Sequence, residues 1–111
     1  MNASDKVKDL EYLYQAGAEA AAEGEATKAL HFIDQVLLMD PNHAEAWNVK
    51  GTCLDQLGNC EEALRSYDAA IVLDPSNADI LFNKALALKK LGREKEAQQV
   101  MDEAVKLELG E

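Results

Sequence analysis

Apolar residues recur along the chain at steps of three and four, the spacing that gathers them on one face of a helix. Between Leu10 and Glu23 they fall at Leu10, Leu13, Ala16, Gly17 and Ala20. Between about Glu25 and Met39 they fall at Ala29, Leu30, Ile33, Val36 and Leu37. Gly24 separates the two runs, and Asp40-Pro41 ends the second, because proline disfavours the α conformation of the residue before it. The pattern then predicts a third helix running to Leu57, a turn at Gly58 and a fourth helix from about Cys60 to Leu73. Asp74-Pro75 stops that one, a fifth ends near Leu91-Gly92, and a sixth runs from Glu94 to about Glu108. Asn42 precedes Glu45 by three, as Ser76 precedes Asp79, and both pairs read as capping-box starts. Residues 1–9, where Asp5 and Asp9 balance Lys6 and Lys8, read as a short frayed tail leading into the first helix, with Ser4 or Asp5 as its cap.

These elements repeat. The stretch from Ala44 to Asn77 is 34 residues long, and its pattern recurs on both sides at that spacing. Gly17, Gly51 and Ala85 form one column, Gly24, Gly58 and Gly92 a second, and Ala29, Ala63 and Ala97 a third. Pro41 and Pro75 continue the series, with Leu109 where a third proline would fall. Small residues at fixed places let helices cross closely, and a turn glycine permits positive φ. A period of this length marks a solenoid, whose units are completed by their neighbours.

The middle unit carries Trp47, Gly51, Leu54, Ala63, Tyr67, Ala70 and Pro75. This resembles the tetratricopeptide repeat (TPR) family, whose unit is a helix–turn–helix hairpin. Three units, 10–43, 44–77 and 78–111, cover all but the first nine residues. The resemblance implies an all-α solenoid of three hairpins in a short right-handed superhelix, with the first helix of each pair lining a concave face. Leu13 and Leu81 stand in the Trp column, and Ile33 and Met101 in the aromatic one. Lys50 and Lys84 depart from the usual leucine, and their aliphatic stems are expected to cover the apolar seam. Trp47 and Tyr67 are expected to hold the stack together. Gln98 replaces Leu30 and Leu64 in the last unit, as expected where no fourth unit packs.

Composition agrees with helices. Hydrophobic residues make up 48% of the chain, too many for a disordered one, and β-branched residues are sparse. The formal charge of −10 repels nucleic acid and anionic lipid, so neither is an expected partner. By unit the charge is −5, −4 and −1, because Lys84, Lys89, Lys90, Arg93 and Lys95 collect in the fifth helix and its turn. MNASDKVKDL has no apolar run to serve as a signal, and no stretch is long enough to span a membrane. A cytoplasmic location is expected.

Catalytic chemistry lacks its usual groupings. His31 and His43 have no partner pattern and read as exposed, while Cys53 and Cys60 read as small hydrophobes at the hairpin's inner packing. No zinc-ligand spacing or phosphate loop is present, so no enzyme activity, metal or cofactor is expected.

The family resemblance implies instead that a protein or peptide segment lies in the groove. Its lining columns map onto Tyr14, Asn48 and Phe82, then Gln15, Val49 and Asn83, then Ala18, Thr52 and Leu86, with Glu11, Glu45 and Asp79 as an acidic edge. Some TPR modules clamp the terminal carboxylate of an acidic chaperone tail with cations. The matching places here hold Tyr14, Ala18, Val49, Asp79 and Asn83, so such a tail is not an expected partner. The alternative is self-association, a homodimer formed through Val105, Leu107 and Leu109.

Overall fold

The computed structural model describes residues 3–110. Among these residues there are six helices and no strand: α1 (Ala3–Ala22), α2 (Ala26–Met39), α3 (Ala44–Gln56), α4 (Cys60–Leu73), α5 (Ala78–Lys90) and α6 (Glu94–Leu109). They pair in order as hairpins, α1 with α2, α3 with α4 and α5 with α6. Each hairpin meets the next through its second helix, and α1, α3 and α5 touch along one side of the array. The result is an elongated body of 49 × 31 × 20 Å, the all-α solenoid that the repeat predicts.

The first helix starts earlier than its apolar face suggests, at Ala3 rather than Leu10. Residues 3–9 hold no glycine or proline to break it, and once nucleated a helix propagates through polar residues. Ser4 and Asp5 therefore lie inside the helix and do not precede it as caps. Residues 1 and 2 of the expected tail lie outside the described residues.

The two inner caps fall one residue later than expected. His43, not Asn42, precedes α3, and its Nδ1 accepts from the Ala46 N–H at 3.0 Å. Asn77, not Ser76, precedes α5, and its side chain accepts from the Asp79 N–H at 3.0 Å. The proline turns explain the shift. Asp40 uses its carboxylate to accept the Asn42 N–H, and Asp74 accepts from the Asn77 side chain, so the chain is still turning at those positions.

Within each hairpin the turn is a glycine in the left-handed region. Gly58, at φ 84°, lets the Asn59 N–H reach back to the Leu54 carbonyl at 2.8 Å, which satisfies the end of α3. The same bond recurs from Glu25 to Ala20 and from Arg93 to Leu88.

The core sits where second helices meet first helices. Ala29, Ile33, Val36, Ala46 and Cys53 are buried at the first junction, and Leu54, Ala63, Tyr67, Ile80, Ala87 and Leu88 at the second. Trp47 packs beside the second cluster and donates from Nε1 to the Pro41 carbonyl at 2.8 Å, tying the turn to the stack. Tyr67 is 2% exposed and lies against the backbone of Gly51, where an added Cβ would meet the tyrosine ring. At Gly17 an added Cβ would lie 2.7 Å from Ile33 Cδ1. In the third hairpin this column holds Ala85, and the flexible, unbranched Met101 stands in the column of Ile33 and Tyr67 and lines one cleft with it.

Gly51→Ala is thus expected to lower stability by about 1–3 kcal/mol in urea unfolding, the usual cost of overpacking. Adding Tyr67→Met, which copies the third hairpin, is expected to recover part of it. Undiminished stability in the single variant would show that this contact does not limit hairpin closure.

Candidate partner-binding surface

The residues expected to line a groove all lie on α1, α3 and α5. Glu11, Gln15, Glu45, Asp79 and Leu86 are exposed, while Tyr14, Ala18, Asn48, Val49, Thr52, Phe82 and Asn83 are half-buried. Not one is fully buried, although each helix also carries buried positions on its packed face.

Several of them are held by contacts with one another or with their neighbours. Asn83 donates from Nδ2 to Asn48 Oδ1 at 3.1 Å, linking α5 to α3. Thr52 donates to or accepts from the Tyr67 hydroxyl at 3.3 Å and also reaches the Asn48 carbonyl at 3.2 Å. Tyr14 stacks on His43 with ring centroids 4.8 Å apart. Burial first, and then the charge and hydrogen bonding of Glu45, push the Tyr14 phenol above its ordinary value. Tyr14 and Val49 also pack on the Ile33–Val36–Ala46 cluster, and Phe82 packs on Ala78, Leu81 and Ala104. The aromatic pair is therefore shared between surface and core.

His43 corrects the reading of an exposed histidine. It is half-buried, caps α3 and supports Tyr14. The available signal was its column, since Asn77, the other cap, stands 34 residues on. Lys50 and Lys84 do more than cover the seam: Nζ of Lys50 lies 2.9 Å from Asp34, and that of Lys84 lies 2.7 Å from Asp68. Each pair ties a first helix to the preceding second helix. Lys90 reaches Asp55 at 2.9 Å, and Arg93 binds Glu96 at 2.8 Å. Much of the basic cluster on the third hairpin is thus neutralised by acids, leaving Lys89 and Lys95 without an ion pair among the described residues.

The cysteines are both free. Cys53 is buried as expected, and burial followed by the Asp34 charge pushes its thiol up. Cys60 is only half-buried at the start of α4, not in the hairpin's inner packing. Its thiol donates to Asp55 Oδ1 at 3.2 Å, and that bond raises its pKa. Neither thiol has the depressed pKa of a nucleophile. Among the described residues no three His, Cys, Asp or Glu side chains are grouped to hold a metal, and no helix is long and apolar enough to cross a membrane.

Val105, Leu107 and Leu109 do not form one patch. Val105 and Leu109 stand four apart on one face of α6, whereas Leu107 lines a shallow cleft with the α4–α5 turn.

The Tyr67 phenol is pushed up to about 12, chiefly by burial and further by Asp55, against a partly opposing bond to Thr52. The fold therefore favours its neutral form. That contribution is complete below the ordinary value of 10 and is lost as pH rises toward about 12. Tyr67→Phe is expected to flatten this part of the alkaline stability profile, followed by circular dichroism in denaturant. An unchanged profile would place the alkaline loss on another group.

Three family models match parts of the chain. One, described as TPR repeat, matches residues 55–92, and two described as tetratricopeptide repeat match 78–110 and 14–59. An uncharacterized protein of Methanocaldococcus jannaschii, MJ0572, is 40% identical over 58 residues, which is 52% of this chain and 67% of that one. The Arabidopsis OM64 TPR domain superposes with a TM-score of 0.88 at 20% identity, covering 96% of this chain and 88% of that domain. MamA MSR-1 superposes with a TM-score of 0.82 at 21% identity over 89% of this chain. The chain spans 57% of that MamA chain's length. At such identities the likeness to the two structures concerns the fold.

Proposed function

Because the chain belongs to the tetratricopeptide repeat family, we propose that it is a protein-interaction module that holds a partner segment across α1, α3 and α5. The observation that carries this reading is the Asn48–Asn83 bridge at the centre of the row. The bridge engages one oxygen and one amide, leaving the Asn48 NH2 and the Asn83 oxygen to meet a peptide backbone. Tyr14 and Phe82 stand on either side as half-exposed aromatic area. Glu11, Glu45 and Asp79 are exposed along one edge, which suits a segment with basic and apolar residues.

The Tyr14 and Phe82 rings also pack inward, so their removal would perturb stability as well as binding. The asparagines give the cleaner test. Affinity capture from native lysate with the intact chain and with Asn48→Ala/Asn83→Ala is expected to differ, and the captured partner's affinity should fall about tenfold or more. Equal capture by a variant that melts like the parent would move the site elsewhere. A chaperone-type peptide with an acidic, free carboxyl end is expected to give no micromolar binding in calorimetry, since Tyr14, Ala18, Val49, Asp79 and Asn83 provide no cation. Micromolar heat would refute that.

A further inference from the structure

The chain's own junctions define what a further helix on α5 and α6 would need. α3 packs on the hairpin of α1 and α2, and α5 packs on that of α3 and α4. In each case the seventh residue of the arriving helix is a lysine that pairs with an aspartate of the preceding second helix, Lys50 with Asp34 and Lys84 with Asp68. The next member of that aspartate column is Asp102. It is exposed, accepts from Gln98 Nε2 at 2.9 Å, and has no lysine or arginine within ion-pair distance among the described residues.

A second polar contact recurs at the thirteenth residue of the arriving helix. There Gln56 donates to the Ala21 carbonyl at 3.3 Å, and Lys90 donates to the Asp55 carboxylate at 2.9 Å. The next member of the Ala21–Asp55 column is Lys89, where the charge is reversed and no ion pair is made. Lys89 lines a cleft of about 230 Å³ together with Ala85, Leu86, Ala97 and Met101 and the polar Glu94 and Gln98. Leu86 is 51% exposed and Val105 42%, and Met101 is half-buried in a column whose other members, Ile33 and Tyr67, are buried.

We propose that the α5–α6 face docks an amphipathic helix of a partner protein. That helix carries a small apolar seam, a lysine or arginine that meets Asp102, and an aspartate or glutamate six residues later that meets Lys89. This is helix-in-groove recognition with a two-charge register. A second copy of the chain is a poor occupant. Its α1 has Ala16 in the lysine column, Ala22 in the thirteenth-residue column, and Glu19 where Cys53 and Ala87 are fully buried. The face is separate from the Asn48–Asn83 site apart from Leu86, so either proposal stands if the other fails.

The probe is a hydrocarbon-stapled peptide of sequence 78–90 with Lys90→Glu, labelled and read by fluorescence anisotropy. Stapling removes the nucleation cost that leaves a helix this short unfolded in water. Saturable binding to the full chain is expected, weakened about tenfold or more by Asp102→Lys and by Lys89→Glu, in variants checked for unchanged melting. Replacing the peptide lysine at the Lys84 position by Glu should restore binding to the Asp102→Lys protein. Since the chain's own α5 pairs with Asp68, dependence on Asp102 separates end docking from exchange with that helix. Absence of saturable binding, indifference to both charge reversals, or failure of the swapped pair would overturn the proposal. So would a concentration-dependent dimer in sedimentation that Asp102→Lys dissolves, which would make a second copy the occupant.

Discussion

The structure depends on how closely the two helices of each hairpin approach. At Gly51 the backbone of α3 comes within reach of the Tyr67 ring, and at Gly17 that of α1 comes against Ile33. A side chain at either point would hold the helices apart and tilt the apolar face that the next hairpin must cover. Interiors are packed too densely to absorb such a shift locally. In an array the error would be inherited, because each hairpin contacts only its neighbours. Ala85 opposite Met101 shows the other solution, a larger residue on one side and a more compliant one facing it.

On this frame the hairpins are joined by polar contacts at the periphery of an apolar seam. Lys50–Asp34 and Lys84–Asp68 lie at the edge of the junctions, with the lysines only partly exposed. Such pairs contribute modestly to stability, typically about 0–1 kcal/mol each. Their larger effect is on register. Sliding α5 by one turn against α4 would part Lys84 from Asp68 as well as disrupt the packed seam of Tyr67, Ile80 and Leu88, so the pair adds to the register that packing already favours.

Much of this was legible in the residues. The glycine and alanine columns, the proline turns and the three- and four-residue steps place all six helices, because each expresses a local rule about backbone or periodicity. The points that escaped are those where two local rules compete. Asn42 and Ser76 are good caps by type, yet the preceding Asp-Pro turn extends through them and hands the role to His43 and Asn77. The part of α1 before Leu10 shows no apolar period because residues 5–9 are exposed. The lysines at 50 and 84 were visible, but their partners lie 16 residues away on another helix, and only the fold brings Asp34 and Asp68 to them.

Within one chain, comparison of the repeats separates scaffold from surface. Columns that keep their type, such as Gly24, Gly58 and Gly92, satisfy the same mechanical demand three times. Columns that change type while staying partly exposed face a weaker demand. Tyr14, Asn48 and Phe82 differ in size and polarity, as do Ala18, Thr52 and Leu86, and none is fully buried. Variation inside the stack needs a compensating change opposite, whereas at partly exposed positions it is tolerated more freely. That freedom is what a surface needs to become specific for one partner, so the irregular columns are where the function of a regular array is to be sought. Asp102 is the informative exception: it keeps the type of its column, and among the described residues no lysine meets it.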